Sequence, residues 1–442
     1  MSDRIPSGTG EAGPVGLRDR LLNVVRHSVF RNASMLFIVS LLNYVMPLVL
    51  IPYLARVLGI EYFGVYAFGM SIYLIGMILI DYGFPVHGLY AITEHRDDRE
   101  RVSRLLGTML VIKLALFLLL AAGLGLYVYF NQQFADHRVF LMLMALPVLG
   151  GAMQFRWVFQ AVEQSGKIVR YMTIGRVVQV ALVIAIVSGP GDYLWVPIIH
   201  GFAMMLSGVL CIGMIYGLGY RFSLPTWKEI VEQVRGASSY FFANVAEAQI
   251  GFAGIFSLSL VTTPASLALY AVSEQLYRAL RSLCHPLIDA LMPYMKRSND
   301  MRVFRKLCLV LFGITAFGVA LGVLLAPYLI HLLFGAKYAE ATPILQILLP
   351  ALLASVPALM IGYPLLASLG HGAQVSGIAV FSAIVTVLIL AALWFFGALS
   401  GTTVALTVVA SEVMIFAGTM ILLWRVRAAQ RRAPLSGSMP QG

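Results

Sequence analysis

The sequence predicts an all-α integral membrane protein with about twelve transmembrane helices arranged in two six-helix lobes. Of its 442 residues, 60% are hydrophobic and only 12% are charged, whereas soluble domains are about 45–50% apolar and about 25% charged. The apolar residues form long stretches without the alternation, in segments of about ten residues, that marks an outer-membrane barrel. This composition argues against a soluble enzyme and against a nucleic-acid-binding protein.

A helix that crosses the hydrocarbon core needs about 20 mostly apolar residues. Windows of that length predict spans at 33–57, 62–86, 105–129, 139–162, 171–189, 193–218, 237–261, 267–294, 307–333, 343–368, 375–396 and 403–424. They divide the chain into a polar amino-terminal segment (1–32), an N-lobe (33–218), a linker (219–236), a C-lobe (237–424) and a basic tail (425–442). Pro350, Pro357 and Pro364 predict a broken tenth helix, because proline lacks a backbone N–H.

The distribution of Lys and Arg predicts the orientation. If the amino terminus is cytoplasmic, 23 of the 31 basic residues fall in cytoplasmic segments and only Arg138 and Lys337 fall in the opposite loops. The positive-inside rule then places both termini in the cytoplasm. The net charge of +11 thereby becomes a topology signal. The polar first segment has no apolar stretch typical of a cleavable signal peptide.

A weak internal repeat supports the division into two lobes. Shifting the chain by 204 residues places Ala33-Ser34 on Ala237-Ser238 and Tyr66-Ala67 on Tyr270-Ala271. Each unit holds six spans, so both lobes start on the same side of the membrane. Transporters built from such parallel repeats bind substrate between the lobes.

Nothing in the sequence predicts a catalytic residue, a metal site or a cofactor. The three cysteines lie in apolar stretches without pairing or metal-ligand spacing, and Gly166-Lys167 lacks the earlier glycine of a phosphate-binding loop. The predicted outer loops hold about ten residues at most. We therefore predict that the chain is not an enzyme, because a membrane polysaccharide polymerase or acyltransferase usually displays a larger loop or domain.

Ionisable side chains inside the predicted spans are the candidates for function, since each costs about 2.5–3.5 kcal/mol at mid-membrane on insertion scales. The six basic and five acidic residues of this kind are Arg56, Asp81, Lys113, Arg156, Arg176, Glu247, Glu274, Arg278, Arg281, Asp289 and Glu412. Arg56 and Asp81 lie at helix ends, where capping or snorkelling explains them. Lys113, Arg156 and Arg176 either snorkel as well or line a cationic vestibule together.

The predicted eighth helix carries the most informative spacing. Glu274, Arg278 and Arg281 lie at i, i+4 and i+7 and therefore share one helical face. One interpretation is a self-neutralising Glu274–Arg278 pair that leaves Arg281 without a partner. The other, which we favour, is a net-positive stripe facing the lumen. Glu247 and Glu412 are predicted as counter-ions of the arginines or as H⁺ or Na⁺ sites for energy coupling.

Several short patterns, in order, resemble the polysaccharide transporter family, the Wzx-type oligosaccharide-lipid flippases related to MATE exporters and lipid II flippases. The matching residues are Leu58-Gly59, Tyr62-Phe63-Gly64 and Tyr66; Asp81-Tyr82-Gly83-Phe84, Arg96-Asp97-Asp98 and Lys113; Trp157, Gln160 and Glu163; Arg176; Tyr270-Ala271, Glu274, Pro286 and Pro293; and Leu333-Phe334-Gly335, Tyr338 and Ala341. Many relatives carry Arg where this chain has Tyr90, which puts any substrate role of that arginine in doubt here.

The resemblance implies a MATE-like fold and a flippase for undecaprenyl-pyrophosphate-linked oligosaccharides in O-antigen, capsule or exopolysaccharide assembly. It also implies an ion gradient as driving force and partnership with a polysaccharide polymerase and chain-length proteins. On this basis, Lys113, Arg156, Arg176, Arg278 and Arg281 are predicted to bind the pyrophosphate and glycan. Glu247, Glu274 and Glu412 are predicted to set cavity charge or couple to the ion. A cation-coupled drug exporter of the same superfamily is the alternative, and a membrane-embedded polymerase or acyltransferase is a more distant one.

Overall fold

The computed structural model of the protein describes residues 28–130, 133–248, 253–284, 288, 291, 295 and 301–432. Side chains are described from residue 49 to residue 428, apart from residues 243 and 246–248 within that range. All regular secondary structure in this part of the chain is helical. The helices are α1 (Ser28–Asp81), α2 (Phe84–Glu94), α3 (Arg99–Phe130), α4 (Arg138–Leu143), α5 (Ala145–Ala152), α6 (Arg156–Ala161), α7 (Ser165–Ile186), α8 (Trp195–Tyr216), α9 (Trp227–Ala248), α10 (Ala253–Ser259), α11 (Pro264–Ser282), α12 (Met301–Phe334), α13 (Thr342–Leu348), α14 (Leu352–Met360), α15 (Gly372–Phe395) and α16 (Gly401–Arg432).

Eight helical segments in the described residues are long and apolar enough to cross a membrane. Two of them contain 46 and 60 residues, more than the roughly 20 needed for one crossing. Helices α9 to α11 add further apolar segments on both sides of residues 249–252, which lie outside the described residues. The arrangement is consistent with twelve crossings, and the predicted all-α membrane fold is confirmed.

Two glycine positions divide the first long apolar region. Gly59 (φ 74°) turns the chain inside α1, at the boundary expected between the first two spans. A second break follows Asp81, where Tyr82 (φ 40°) and Gly83 (φ 76°) are both left-handed. The prediction of one continuous span from 62 to 86 is wrong here. Helix α2 starts anew with Pro85 in its first turn, where a missing N–H costs nothing.

The predicted break in the tenth helix is confirmed. Helices α13 and α14 are separated by a 3₁₀ turn at Leu349–Ala351, which contains Pro350. A π-helical stretch follows at Ile361–His371, with Pro364 inside it and Gly370 at φ 90°. The residues at these breaks cannot continue the α-helical hydrogen-bond ladder.

Helix α12 carries an apolar surface suited to lipid. Phe317 is 71% exposed and Leu324 is 74% exposed, although both are apolar. In water such a surface would favour aggregation. In a bilayer it contacts hydrocarbon, which is the solvent for which the helix is built.

We call residues 28–218 the N-half and residues 227–432 the C-half. The two halves meet along two contact regions. The second segment of α1, about 22 residues or roughly 30 Å long, connects these two regions. The first, the Arg56 seam, comprises Ala55, Arg56, Phe63 and Gly64 of the N-half and Pro264, Leu332, Leu333 and Tyr338 of the C-half. The second, the His87 seam, comprises Tyr82, Gly83 and His87 of the N-half and Gln233, Ala237, Ser238 and Phe241 of the C-half.

The Arg56 seam is held mainly by hydrogen bonds to the backbone. The Arg56 guanidinium donates to the carbonyl of Leu333 at 2.9 Å and to that of Leu332, at the end of α12. The Tyr338 hydroxyl donates to the Ala55 carbonyl at 2.9 Å. These groups surround an apolar core that contains fully buried residues of both halves.

The His87 seam combines side-chain contacts with the packing of Gly83 on the backbone of Ala237 and Phe241. His87 Nε2 lies 2.9 Å from Gln233 Oε1, and the rings of Tyr82 and Phe241 stack with centroids 4.6 Å apart. Ala237 of α9 is fully buried in the apolar core on this side, which is built mostly from N-half residues. The interior between the two seams contains the candidate site.

Candidate functional site

A cavity of about 450 Å³ lies between the two halves. Helices α1, α7 and α8 form its N-half wall, and α10 and α11 form its C-half wall. The described lining residues are Leu50, Ile51, Phe63, Tyr66, Ala67, Met70, Leu74, Arg176, Gln179, Val180, His200, Ile255, Ala271, Gln275, Arg278, Ala279 and Ser282. Among them, Arg176 and Arg278 carry full positive charges and come from opposite halves. The fold therefore brings two predicted substrate-binding arginines to one inter-half cavity.

A neighbouring glutamine orients each of these arginines. Arg176 Nη1 donates to Gln179 Oε1 at 3.1 Å, one helical turn away on α7. Arg278 Nη2 donates to Gln275 Oε1 at 3.4 Å on α11. An amide oxygen orients a guanidinium without neutralising its charge.

A second cavity, of about 350 Å³, lies wholly within the N-half and adjoins the first. Its described lining residues are Tyr73, Leu74, Met77, Asp81, Gly151, Gln154, Arg156, Trp157, Met172, Arg176, Met204 and Ser207. Leu74 and Arg176 line both cavities. Arg156, at the first residue of α6, follows a break in the helix at Gln154 and Phe155. This second cavity thus adds a third predicted arginine to the same region.

Lys113 lies behind this N-half wall and has no exposed surface. Its ammonium is 3.0 Å from Asp81 Oδ1 and donates to the Gln154 carbonyl at 3.2 Å. It also lies 5.0 Å from the ring centroids of Phe155 and Trp157. The predicted vestibule lysine is therefore an internal partner of Asp81, and Asp81 is the member of the pair on the cavity wall.

Arg281 pairs with Glu412 inside the C-half. Arg281 Nε is 3.2 Å from Glu412 Oε1, and the Tyr277 hydroxyl donates to the same oxygen at 2.9 Å. Glu412 is 1% exposed. The expectation that Arg281 lacks a partner is wrong, because helices α11 and α16 bring it against a carboxylate 131 residues away in sequence. Arg281 is not among the described residues that line either cavity.

Glu274 lies behind Arg278 on α11. Its carboxylate is 2% exposed, and its Oε2 is 3.9 Å from Arg278 Nη2. At this distance the charges attract, but they do not form a close bidentate pair. Both interpretations of the helix-eight spacing thus hold in part: Glu274 and Arg278 are paired, and Arg278 still faces the lumen.

The remaining predicted residues divide into two groups. The Glu247 side chain, His285, Pro286, Asp289 and Pro293 lie outside the described residues. The roles predicted for Arg156, Arg176, Arg278, Arg281, Lys113, Glu274 and Glu412 in substrate binding or ion coupling stay predictions.

Sequence reasoning missed several polar residues of the site. His200 lines the inter-half cavity, is 3% exposed and has no hydrogen-bond partner for Nε2 among the described residues. A histidine inside an apolar span was the available signal. For Gln179 and Gln275 the signal was their spacing of three residues from Arg176 and Arg278. Asp81 was explained as a helix cap, because its partner Lys113 lies on another helix.

Comparison with known proteins identifies the family of this chain. The family model described as "Polysaccharide biosynthesis protein" matches residues 29–299, more than half of the chain. The chain belongs to this family. A relative named "Putative O-antigen transporter" from Escherichia coli (strain K12) is 22% identical over 338 residues, which cover 74% of this chain and 81% of the relative. A relative of the same name from Shigella dysenteriae is 24% identical over 330 residues, which cover 73% of this chain and 82% of the relative.

Solved structures with the same fold come from two kinds of transporter. The lipid II flippase MurJ in its inward closed conformation matches with a TM-score of 0.72 and 12% identity, over 88% of this chain and 87% of that chain. An inward-facing MATE multidrug transporter of the MOP superfamily matches with a TM-score of 0.67 and 14% identity, over 88% and 96% of the two chains. The predicted MATE-like fold is confirmed.

These findings identify the general class of the protein. It is a multi-pass membrane protein of a polysaccharide biosynthesis family whose relatives and structural neighbours are named as transporters and flippases. The prediction that the chain is not an enzyme is confirmed by these relatives.

Proposed function

We propose that the protein is a flippase that moves undecaprenyl-pyrophosphate-linked oligosaccharide repeat units across the bacterial inner membrane. The direction is from the cytoplasmic to the periplasmic leaflet, for O-antigen, capsule or exopolysaccharide assembly. One observation carries the proposal. Arg176 of the N-half and Arg278 of the C-half line one cavity between the halves, and Arg156 lines the adjoining cavity.

The chemistry of the substrate explains why arginines belong there. A pyrophosphate that carries sugars cannot cross hydrocarbon unaided, because transfer of an ionised group into an apolar medium is strongly unfavourable. A guanidinium stays charged and presents a planar fork of N–H donors that matches phosphate oxygens. A guanidinium has five N–H donors, so the contact of Arg176 with Gln179 leaves donors of Arg176 for such oxygens.

In the proposed mechanism, the two seams open and close in turn. They lie at opposite ends of the second segment of α1, with both cavities between them. In alternating access, one seam separates while the other stays closed, so that the cavity opens to one leaflet at a time. With both termini in the cytoplasm, the His87 seam is the cytoplasmic one and the Arg56 seam is the periplasmic one.

The charge of the walls favours an anionic headgroup over an organic cation. The described residues lining the two cavities include three arginines and one acid, Asp81. The Asp81 charge is already offset by Lys113 at 3.0 Å. A drug exporter would instead need uncompensated acids at the ligand, so this alternative becomes an outcome of the test.

The proposal includes an ion gradient as the driving force. Glu274 of α11 and Glu412 of α16 are buried acids beside arginines of α11. Protonation or Na⁺ binding at either acid would change the charge next to these arginines. The lipid bilayer supplies the surroundings of the prenyl tail. A polysaccharide polymerase and chain-length proteins would consume the product on the far side.

The test uses the purified full-length protein in vesicles that contain a fluorescent prenyl-pyrophosphate-linked oligosaccharide. We expect Arg176→Ala and Arg278→Ala each to lower the flipping rate roughly 10- to 100-fold, the size expected when a charged hydrogen bond to substrate is lost. Arg176→Lys and Arg278→Lys should recover part of the rate, since they keep the charge but lose the fork.

Matched controls separate this effect from general loss of charge. Arg170→Ala removes an exposed arginine from the same helix as Arg176, and Arg305→Ala removes an exposed arginine from α12. Both should flip at the wild-type rate. Wild-type rates in both cavity variants at normal expression would overturn the pyrophosphate assignment. Failure of the wild-type protein to flip the lipid while it exports organic cations would replace the flippase by the exporter.

A further inference from the structure

A third cavity, larger than the other two, is a groove on the C-half between α15 and α16. Its volume is about 1160 Å³, more than the roughly 300–1,000 Å³ that is usual for small-molecule sites. None of its described lining residues lines either of the other two cavities. The proposed transport site therefore does not account for this cavity, which we call the α15–α16 groove.

Helices α15 and α16 run antiparallel along the groove. The Ser382 hydroxyl lies 2.9 Å from that of Ser411, and the residues before Ser382 lie beside the residues after Ser411. Gln374 near the start of α15 and Arg425 near the end of α16 therefore mark one end of the groove. Since α16 leads into the carboxyl-terminal tail, this end is cytoplasmic in the orientation proposed for the chain.

The length of the groove matches one leaflet of the bilayer. Along α16 its lining residues run from Met414 to Arg425, a distance of about 16 Å at 1.5 Å per helical residue. One leaflet contributes about 15 Å, which is half of the hydrocarbon core. The groove thus spans the acyl-chain region of the cytoplasmic leaflet and ends at the level of the headgroups.

The body of the groove is suited to hydrocarbon. Phe381 of α15 is 64% exposed and Ile421 of α16 is 53% exposed, and both line the groove. At Gly418 a Cβ would lie 2.7 Å from the Ile378 side chain, so the two helices pack closely there. At Gly377, by contrast, a Cβ would meet no described atom within 4 Å. The missing side chain of Gly377 leaves an open, apolar space between the helices.

The cytoplasmic end of the groove carries donors that face no acid. Arg425 is exposed and has no hydrogen-bond or ion-pair partner among the described residues. Gln374 Oε1 lies 2.6 Å from His371 Nδ1, which leaves the amide N–H groups of Gln374 for another acceptor. The described lining residues include no Asp or Glu. Charge complementarity therefore favours an anion here, and a guanidinium matches phosphate oxygens in particular.

These features together match a phospholipid. We infer that the α15–α16 groove binds one anionic phospholipid of the cytoplasmic leaflet, with its phosphate on Arg425 and Gln374 and an acyl chain over Gly377. Basic pockets between transmembrane helices on the cytoplasmic side hold anionic headgroups in this way. An undecaprenyl chain is much longer than one leaflet, so the groove fits a resident lipid better than the transported one. The inference uses the proposed orientation but not the proposed substrate.

The bound lipid joins two parts of the C-half. His371 is the last residue of the π-helical stretch Ile361–His371, in which Gly370 has a φ of 90°, and Arg425 belongs to α16. A ligand that contacts both holds the end of this irregular stretch against α16. Because a ligand that binds only the folded protein stabilises it, the lipid should raise the Tm.

The experiment titrates the purified full-length protein with phosphatidylglycerol or with phosphatidylcholine, which has the same phosphate but no net charge. Native mass spectrometry measures the affinity of the tightest lipid site. We expect the wild-type protein to bind phosphatidylglycerol about fivefold more tightly than phosphatidylcholine, the effect of about one basic residue near an anionic lipid. Arg425→Gln should remove most of this preference. Gly377→Leu should weaken the binding of both lipids, since its side chain fills the open space.

Two control variants separate the groove from general effects. Arg427→Gln removes an exposed arginine of the same helix that does not line the groove. Gly313→Leu adds a side chain to α12 at an exposed glycine whose Cβ would meet no described atom within 4 Å. Both should keep the wild-type lipid affinities. Phosphatidylglycerol should raise the Tm of both controls and of the wild-type protein, and should raise the Tm of Arg425→Gln and Gly377→Leu clearly less.

Three results would overturn the inference. Equal affinities for the two lipids, or a preference that survives Arg425→Gln, would show that no anionic headgroup binds at this end. Unchanged binding to Gly377→Leu would place the acyl chain elsewhere. Displacement of phosphatidylglycerol by farnesyl pyrophosphate from the wild-type protein, but not from Arg425→Gln, would assign the groove to the transported lipid. Because none of these measurements uses flipping, each result leaves the flippase proposal to its own test.

Discussion

The two seams between the halves differ in what holds them. In the Arg56 seam, Arg56 and Tyr338 bond to backbone carbonyls of the opposite half, and Gly64 packs directly on the backbone of Pro264. In the His87 seam, the hydrogen bond joins two side chains, His87 and Gln233. Each seam also has a glycine packed on the opposite backbone, since Gly83 packs on Ala237 and Phe241 in the His87 seam. The seams therefore differ in their hydrogen-bond acceptors, which are backbone carbonyls in the Arg56 seam and a side chain in the His87 seam.

This difference indicates which seam separates more easily. A backbone carbonyl that accepts a hydrogen bond cannot move without its helix, because a close-packed interior transmits strain. Side chains can change rotamer at an energy cost of the order of 1 kcal/mol. We therefore expect the His87 seam to separate first from the conformation described here, and the Arg56 seam to need a larger driving force.

Gly64 provides the strongest test of the comparison. A Cβ at this position would overlap the carbonyl of Pro264, so Gly64→Ala must push α1 and α11 apart. We expect it to destabilise the protein by about 1–3 kcal/mol, the usual cost of overpacking, measured as a lower Tm of the purified protein. In the His87 seam, the three atoms nearest to a Cβ at Gly236 all belong to the ring of His87, a side chain that can move. Gly236→Ala should therefore have a clearly smaller effect.

Gly123→Ala is the control for the helical substitution itself. A Cβ at Gly123 of α3 meets nothing within 4 Å, so the change should be neutral or stabilising by up to about 1 kcal/mol. Equal destabilisation by Gly64→Ala and Gly236→Ala would contradict the distinction between a rigid and an adjustable seam.

Arg56 provides a test of intermediate size. We expect Arg56→Ala to cost about 0.5–1.5 kcal/mol, since the side chain is exposed and its hydrogen bonds compete with water. It should also expose the seam, so that a cysteine introduced by Leu58→Cys, at a position 1% exposed, reacts faster with a thiol reagent. The measurement uses a background in which Cys211, Cys284 and Cys308 are replaced.

Arg138 is the matched control for Arg56. Its guanidinium donates to the Val128 and Tyr129 carbonyls at 3.1 and 3.3 Å, also near the end of a long helix but within the N-half. Arg138→Ala should lower the Tm without changing the labelling rate of the Leu58→Cys thiol. If both arginine variants speed labelling equally, Arg56 does not act between the halves.

Glu229 provides the smallest test, at the linker end of α9. The backbone N–H and the hydroxyl of Thr226 donate to Glu229 Oε2 at 2.7 and 2.9 Å, and these bonds hold the pKa of the Glu229 carboxyl below its ordinary value. A lowered folded-state pKa gives stability that is present above the unfolded pKa of 4.5 and is lost as pH falls through the folded value.

We therefore expect Glu229→Gln to lower the Tm slightly at pH 7, and the difference from the wild-type protein to shrink as the pH falls below 4.5. Glu232→Gln, at an exposed position one turn along α9, should show no such pH-dependent difference. A Glu229→Gln deficit that is unchanged at low pH would show that the carboxylate does not cap this helix.

The sequence predicted the helices well and the side-chain pairings poorly. The broken tenth helix followed from Pro350 and Pro364, because proline acts on its own local backbone. The end of α1 at Asp81 was missed, since Tyr82 carries no signal for a left-handed conformation. Arg56 was explained as a helix cap. It does bond to a carbonyl at a helix end, but that helix, α12, belongs to the other half.

Hydrophobicity and charge spacing along the chain determined the membrane location, the helical class and the list of buried charges. These properties depend on the energy of each segment in lipid, which the segment carries by itself. The tertiary structure alone decided which charges neutralise each other. Arg281 meets Glu412, Lys113 meets Asp81, and Arg176 is left to share a cavity with Arg278. Such pairings depend on how helices distant in sequence cross, since electrostatic attraction at a few ångströms is set by packing and not by sequence spacing.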